Sequence, residues 1–266
     1  YIMIQILLFF CYSFLGWCCE CVYCSIPAKK FINRGFLEGP YCPIYGVGAL
    51  LVISLLLPYK QHPVTLFIAG TILVTTLEYI TSWLMEIMFH TRWWDYSNFR
   101  FNINGRVCLL NAILFGIMAL VVCYGIHPIV LDLLQKLTYT QQWIIGSLLS
   151  IGFLADLVTT TFALLRKNAD FRAVETSIHT LRTLFKQANI FPQEEPLSQT
   201  IQRILDSTDA DEILLAHIQE LRNKIQLFRS HQKHTVKRLK KAFPHHRENR
   251  KEIFERISQV LDEHRK

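Results

Sequence analysis

The chain has 266 residues, of which 51% are hydrophobic and 18% are charged, and its formal net charge is +7. Residues 1–165 hold eight Lys/Arg and seven Asp/Glu, whereas residues 166–266 hold twenty and fourteen. All eight cysteines precede residue 124, mostly within apolar runs, which argues against a secreted disulfide framework. The composition therefore predicts a transmembrane helical domain at 1–165 and a basic, helical, cytoplasmic region at 166–266.

Five apolar runs in the first part are long enough to cross a bilayer core, which takes about 20 helical residues. They cover residues 2–24, 41–58, 64–89, 107–126 and 142–165. The first run lacks a basic segment before it and a small-residue cleavage site after it, which favours a span over a cleaved signal peptide. The sequence thus predicts an all-α, polytopic membrane bundle of about five transmembrane helices.

The basic residues of the short loops predict the orientation of this bundle. The first and third loops, 25–40 and 90–106, carry six Lys/Arg, whereas the second and fourth carry two. Because Lys and Arg are enriched on the cytoplasmic side, the six mark that side. We expect a multi-pass protein of the plasma membrane with its N-terminus outside and its C-terminus in the cytoplasm.

The polar part is predicted to be helical. One apolar face at helical spacing consists of Val174, Ile178, Leu181, Phe185 and Ala188. A second consists of Leu214, Ile218, Leu221, Ile225 and Phe228. A short helix is expected at 197–206 and a last one at about 247–264, with Pro192 and Pro196 in a loop. The two faces fit an antiparallel hairpin within one chain better than a coiled coil between chains, which stays an alternative.

Polar residues in the third span follow each other at spacings of three or four, which places them on one helix face. They are Thr71, Thr75, Glu78, Ser82, Glu86 and His90. Such a stripe lines either an aqueous path or the polar interior of a bundle. Hydrogen bonds between helices would explain the hydroxyl groups. An ionisable group costs more within a membrane, so Glu78 indicates function.

Charged residues are expected to gather at the cytoplasmic mouth of the bundle. Glu20 and Glu86 lie near the inner ends of their spans, and Asp156 lies in the inner half of the fifth. Arg34, Arg92 and Arg106 belong to loops on the same side. Two interpretations are open: salt bridges that tie loops to helix ends, or a site for a substrate or an ion.

The cysteines at 18, 21 and 24 share a helix face, but structural zinc sites usually take such a pair from a turn and a second pair elsewhere. Packing by small residues is therefore favoured over a metal site, and neither a metal nor another cofactor is predicted. No standard catalytic spacing is present, so no catalytic residue is assigned and enzymatic activity is uncertain.

Two loop segments look too elaborate to be simple connections. Residues 33–48 read NRGFLEGPYCPIYGVG, and their glycines and prolines prevent a regular helix before about Ile44. Residues 93–97 read WWDYS. Trp93 suits an anchor at the membrane interface. Asp95 is expected to cap the following turn or to pair with Arg34 or Arg106.

These segments resemble the ABC-transporter type IV, or CmpB-like, family over about residues 10–165. The resemblance rests on Asn33 to Leu37, Gly39-Pro40, Pro43 to Gly46 and Trp94 to Ser97. It implies a bacterial multi-span membrane protein with a transport role. The basic segment 238–244, RLKKAFP, also resembles a segment of family tails.

The leading hypothesis is a transport permease. The sequence has no phosphate-binding loop of the Gly-x4-Gly-Lys-Ser/Thr type, so any ATP hydrolysis must come from a separate subunit. Otherwise Glu78 and Asp156 could carry protons or cations in a stand-alone carrier. Arginines at the mouth suit an anion and buried acids suit a cation, so the substrate is not specified. A homodimer would be unsurprising.

Two alternatives use other residues. A membrane-embedded enzyme could act at the cytoplasmic interface through Glu20, Glu86, His90 and Asp95. A signalling or scaffold protein could work through the basic tail. That tail has a cluster of positive charge at Lys233, Lys237, Arg238, Lys240 and Lys241. The cluster is expected to contact anionic lipids of the inner leaflet, and nucleic acid is not expected.

Overall fold

A computed structural model of the chain describes residues 2–188, 197–207, 211–230, 234–243 and 257–262. Most of these residues are helical and very few are in strands, in agreement with the predicted class. They form two compact units. The first contains residues 2–162 together with 237–243, and the second contains the described residues of 163–236 and of 257–262.

The first unit begins with three helices. Helix α1 spans Ile2–Ala28, α2 spans Pro43–Leu56 and α3 spans Pro63–Phe89. A 3₁₀ turn at Leu57–Tyr59 extends α2. The proline at the start of α2 and of α3 occupies a first-turn position, where a missing N–H costs nothing. Helix α2 begins where the prolines of the preceding loop were predicted to permit it.

The fourth predicted span is longer than expected. Helix α4 spans Leu109–Val121, a π-helical segment follows at Val122–Ile126, and α5 continues over His127–Gln135. The predicted connection at 127–141 is therefore wrong as far as residue 135. His127 looked like a loop residue, but it is buried and its Nδ1 lies 3.1 Å from the Tyr12 hydroxyl. This hydrogen bond satisfies a polar group inside the bundle.

Among the residues that the structure describes, four helical stretches are long and apolar enough to cross a membrane: Ile2–Ala28, Pro63–Phe89, Leu109–Gln135 and Tyr139–Gln187. The segment Pro43–Tyr59 is apolar but shorter. Four of the five predicted spans thus reach full length, and the second is a short apolar helix. Many of their large side chains are exposed, as expected for surfaces that face lipid.

Small residues bring α1 and α2 into close contact. A Cβ atom on Gly16 would collide with the Tyr45 ring, and one on Gly46 would collide with the Ser13 hydroxyl. Close approach through glycine is a common way for helices to pack in membranes, where the hydrophobic effect does not hold them together.

A short hairpin between α3 and α4 was not predicted. Strand β1, Asn102–Ile103, pairs antiparallel with β2, Val107–Cys108. Asn104 and Gly105 form the turn with φ angles of 54° and 68°. Asn-Gly is the preferred pair for two consecutive positive φ angles, so the sequence did contain this signal.

Helix α6 spans Tyr139–Gln187 and has 49 residues. The fifth predicted span and the first predicted tail helix are therefore parts of one helix. The segment between them, 166–173, reads RKNADFRA and contains neither glycine nor proline. Nothing in this segment interrupts a helix. Its polar residues indicated that the chain leaves the apolar region, and they did not indicate that the helix ends there.

The second unit contains the end of α6, helix α7 at Leu197–Asp206 and helix α8 at Glu212–Ser230. Its core includes both predicted faces except Ala188, which is exposed, and Leu181, Phe185 and Leu221 are fully buried. The Lys224 ammonium group donates to the Ser177 hydroxyl at 2.8 Å, and the rings of Phe171 and Phe228 are 6.1 Å apart. These pairs run in opposite directions along the two helices, which confirms the antiparallel hairpin within one chain.

Helix α7 coincides with the short helix predicted at 197–206. Helix α9 spans His234–Ala242 and was not predicted. Of the last predicted helix, residues 257–262 are helical, and 247–256 and 263–264 lie outside the described residues. Pro192, Pro196 and Lys233 lie outside them as well.

Candidate functional site

The polar stripe lies on α3, as predicted, up to Glu86. Glu78 and Ser82 are its most buried members, at 7% and 6% exposure. Large apolar side chains such as Ile72, Ile80 and Ile87 are exposed elsewhere on the helix. His90 does not continue the stripe, because α3 ends at Phe89 and His90 adopts a left-handed conformation and is exposed.

Glu78 contacts a tyrosine from the following loop. The Tyr96 hydroxyl donates to Glu78 Oε1 at 3.2 Å. Burial raises the pKa of Tyr96, and the carboxylates of Glu78 and Glu20 raise it further, so Tyr96 remains a neutral donor. Among the described residues, Glu78 Oε2 and Thr75 Oγ1 are buried and have no hydrogen-bond partner. These two oxygen atoms belong to residues one helical turn apart.

Glu86 holds two arginines at the end of the stripe. Its Oε1 accepts from Arg92 Nε at 3.1 Å, and its Oε2 lies 2.5 Å from Arg106 Nη2. Arg106 also reaches the Ser82 hydroxyl at 3.4 Å, a long contact. One carboxylate thus neutralises part of the charge of two guanidinium groups. Salt bridges between loops and helix ends were one of the two interpretations of this cluster.

The hairpin places Arg106 beside α3. Trp94 Nε1 donates to the Arg106 carbonyl at 3.0 Å, and the Asn104 amide donates to the Tyr79 hydroxyl at 2.9 Å. Asp95 caps the following turn, as predicted, because its Oδ1 accepts from the Ser97 backbone amide at 2.9 Å. The segment after the third span is therefore a folded platform rather than a simple connection.

Glu20 lies beside the second helix and the first loop. Its Oε1 accepts from the Tyr45 hydroxyl at 2.7 Å, and its Oε2 is 3.9 Å from Arg34 Nε. Tyr45, like Tyr96, is a hydroxyl donor to a predicted site carboxylate that sequence reasoning missed. Its only signal was its place in the segment Pro43 to Gly46, which carried the family resemblance.

Asp156 of α6 binds the first loop. Its Oδ1 accepts from the Glu38 amide at 3.1 Å and from Thr160 at 2.9 Å. Its Oδ2 accepts from the Gly39 amide at 2.8 Å and from the Tyr41 hydroxyl at 2.9 Å. Four donors thus surround this carboxylate, an arrangement that holds the loop on the helix.

Aromatic rings bring the two elaborate loops together. The ring of Phe36 lies 5.6 Å from that of Phe89 and 5.4 Å from that of Trp93. The interpretation of Trp93 as an interface anchor is wrong, since it is 7% exposed and packs on protein. An aromatic residue at the end of a span serves either purpose, and its neighbours in space decide between them.

The predicted site residues therefore form three groups rather than a single ring of charge. One joins Glu86 to Arg92 and Arg106, a second joins Glu20 to Arg34, and a third ties Asp156 to its loop. Among the described residues, no group of three or more His, Cys, Asp or Glu side chains is arranged to hold a metal ion.

A family model described as "Putative ABC-transporter type IV" matches residues 7–161, more than half of the chain. The chain belongs to this family. Searches of curated proteins and of solved structures found no significant match. The family and the apolar helices together fit a multi-pass membrane transport protein.

The match to the ABC-transporter type IV family contains every predicted site residue, from Glu20 to Asp156. It also contains Tyr45 and Tyr96. The second unit and the segment 237–243 lie beyond it. The three groups of polar contacts thus belong to the matched region, and the tail lies outside it.

Proposed function

We propose that the protein is a membrane transport permease in which Glu78 is the group that binds the transported species or a coupling ion. The support for this proposal is the surroundings of one buried carboxylate. Glu78 accepts one hydrogen bond, from Tyr96, and its second oxygen has no partner among the described residues. Keeping such a group in a spanning helix costs roughly 2.5–3.5 kcal/mol at the helix centre, so a binding role explains its presence.

The arginines do not compensate this carboxylate. Arg92 and Arg106 both pair with Glu86. The carboxylate described beside Arg34 is that of Glu20. The free oxygen of Glu78, together with the Thr75 hydroxyl, forms a small set of hard oxygen ligands. This chemistry suits a proton, a small cation or a cationic group of a substrate rather than an anion.

Two energy sources fit this proposal. An ABC-type permease would work with a separate ATPase subunit, because this sequence has no phosphate-binding loop. A stand-alone carrier would couple transport to an ion gradient through Glu78. Purification at native expression followed by mass spectrometry distinguishes them: a stoichiometric ATPase subunit identifies the first, and its repeated absence identifies the second.

The test of Glu78 itself uses the purified protein, with any subunit that accompanies it, in liposomes. Pyranine reports proton flux and a sodium-sensitive dye reports sodium flux under an imposed gradient. We expect flux in the wild type and at least about a tenfold loss in Glu78→Gln, which keeps the shape but removes the charge. Glu220→Gln, on an exposed position of the second unit, is the control.

Equal flux in Glu78→Gln and in the wild type would overturn the role of Glu78. No proton or sodium flux by any preparation would overturn the coupling-ion form of the proposal. Glu78→Gln also weakens the hydrogen bond from Tyr96, which lowers stability. Tyr96→Phe controls for this effect, because it removes the same hydrogen bond and keeps the carboxylate. Flux should therefore persist in Tyr96→Phe.

We further propose that the N-terminus lies outside the plasma membrane and the C-terminus in the cytoplasm. The support is the six-to-two distribution of Lys/Arg between the loops. Membrane-impermeant thiol labelling of single cysteines placed at Lys30 and Lys136 tests it. Labelling of intact cells at Lys136 alone is expected, and labelling at Lys30 alone would reverse the orientation.

A further inference from the structure

Residues 237–243 lie against the first loop of the membrane unit, about 200 positions earlier in the chain. The Arg238 guanidinium donates from Nη1 to the Gly35 carbonyl at 2.7 Å and from Nη2 to the Phe36 carbonyl at 2.9 Å. Two parallel bonds from one guanidinium define its position and direction, which a lysine cannot do. Arg238 thus satisfies two carbonyl groups that lie outside any helix.

The loop also donates an arginine side chain to the backbone of the segment 237–243. Arg34 Nη1 donates to the Ala242 carbonyl, and the Arg34 guanidinium stacks over the Phe243 ring at 4.1 Å from its centroid. The Phe243 ring also contacts Trp93, whose ring lies 5.0 Å away in an edge-to-face arrangement. Each segment therefore supplies one arginine to the backbone of the other.

The segment is buried where it touches the loops. Leu239 and Ala242 are each 3% exposed, and Phe243 is 8% exposed. Burial lowers the pKa of Arg238, while the carboxylates of Glu38 and Asp156 oppose that shift and keep the guanidinium charged. Lys237, in contrast, is exposed. Arg238 thus contributes to internal docking, which differs from the lipid contact expected for the basic cluster.

We infer that residues 34–36 and Trp93 form a receptor surface whose occupant is the chain's own segment 237–243. The surface accepts an arginine fork and, five residues later, an aromatic ring. An anionic membrane surface, in contrast, attracts lysine and arginine alike and requires neither the fork nor the ring. The bound segment contacts Gly35 and Phe36 of the same loop whose Glu38 and Gly39 amides are held by Asp156.

This docking also determines what Arg34 does. Arg34 is shared between the Ala242 carbonyl, the Phe243 ring and the Glu20 carboxylate, which is 3.9 Å away. When the segment leaves, Arg34 is free to approach Glu20 and to form a closer ion pair. Occupation of the receptor surface thus regulates the charge beside Glu20.

Hydrogen–deuterium exchange of the full-length protein tests the inference and requires no knowledge of the substrate. Arg238→Lys keeps the charge and removes the fork. We expect exchange in peptides covering both 33–37 and 237–243 to accelerate about tenfold or more, as for loss of hydrogen bonds from a charged group. Lys237→Ala removes a charge at the neighbouring exposed position and should leave both peptides unchanged.

A second variant protects the test against misfolding. Phe243→Ala removes the ring at one end of the segment, and it should accelerate exchange in 33–37, which contains no mutated residue. Unchanged exchange in Arg238→Lys and in Phe243→Ala would overturn the receptor surface. An effect of Lys237→Ala equal to that of Arg238→Lys would overturn it too, because general electrostatic attraction would then explain the contact.

Discussion

Asp156→Asn should release the first loop from α6. Each oxygen of the carboxylate accepts two hydrogen bonds, from Glu38 and Thr160 at Oδ1 and from Gly39 and Tyr41 at Oδ2. An asparagine has one acceptor oxygen, so whichever way it is oriented its amide nitrogen faces one backbone N–H, while the hydroxyl group on that side can turn to accept. The variant therefore loses one bond to a backbone amide, and its remaining bonds no longer involve a negative charge.

Hydrogen bonds to a charged group contribute about 1.5–3 kcal/mol each, so the lost bond alone amounts to about 1.5–3 kcal/mol, and the loss of the charge weakens the other three. Asp156 is partly exposed, and water replaces part of what is lost, which reduces the expected cost of loop opening to about 2–3 kcal/mol. At 1.36 kcal/mol per factor of ten, opening becomes about 30- to 150-fold more frequent.

Cys42 reports this opening. It lies just after the loop, at the start of α2, and is 7% exposed. Alkylation of Cys42, followed by peptide mass spectrometry, should accelerate by about 30- to 150-fold in Asp156→Asn. Thr160→Val is the matched control, since it removes one donor and should change the rate only about 2- to 10-fold. Equal rates in the two variants would refute the role of the carboxylate as the group that holds the loop.

Three further predictions concern separate parts of the chain. Glu86→Gln leaves two arginines without their shared carboxylate and should lower thermal stability in detergent by about 1 kcal/mol, and an unchanged melting temperature would contradict this. Gly16→Val should prevent correct packing of the first two helices and abolish monodisperse elution on size exclusion, whereas Gly125→Ala, in open space, should elute normally. Leu221→Ala in the full chain should destabilise the second unit by about 2–5 kcal/mol by thermal unfolding, and a similar loss in partly exposed Leu215→Ala would argue against the described core.

The helices and their buried faces followed from the sequence because both depend on local periodicity. The apolar faces at 174–188 and 214–228 became the core of the second unit, and α7 has the predicted bounds. The ends of spans were harder to predict. A polar residue such as His127 looks like a loop residue until its partner Tyr12, 115 positions away, is known.

The sequence named the carboxylates of the candidate site but not most of their partners. Carboxylates are conspicuous in an apolar run, which is why Glu20, Glu78, Glu86 and Asp156 were selected. Their partners include hydroxyl groups and backbone amides, which every sequence contains in large numbers. Tyr45, Tyr96 and Arg238 belonged to segments that resemble the family, but nothing in the sequence indicated which groups they contact, since only the fold brings these groups together.

The reciprocal arginine contacts between residues 34–36 and 238–242 have a consequence for the protein during its synthesis on the ribosome. The loop is made about 200 residues before its occupant, which at 5–20 residues per second is an interval of about 10–40 s. During that time the Gly35 and Phe36 carbonyls lack the guanidinium that later satisfies them. If translation stops early, the chain lacks residues 237–243 and this surface stays uncovered. An incomplete chain therefore exposes a surface that the finished chain covers, and proteases and chaperones at the membrane can distinguish the two.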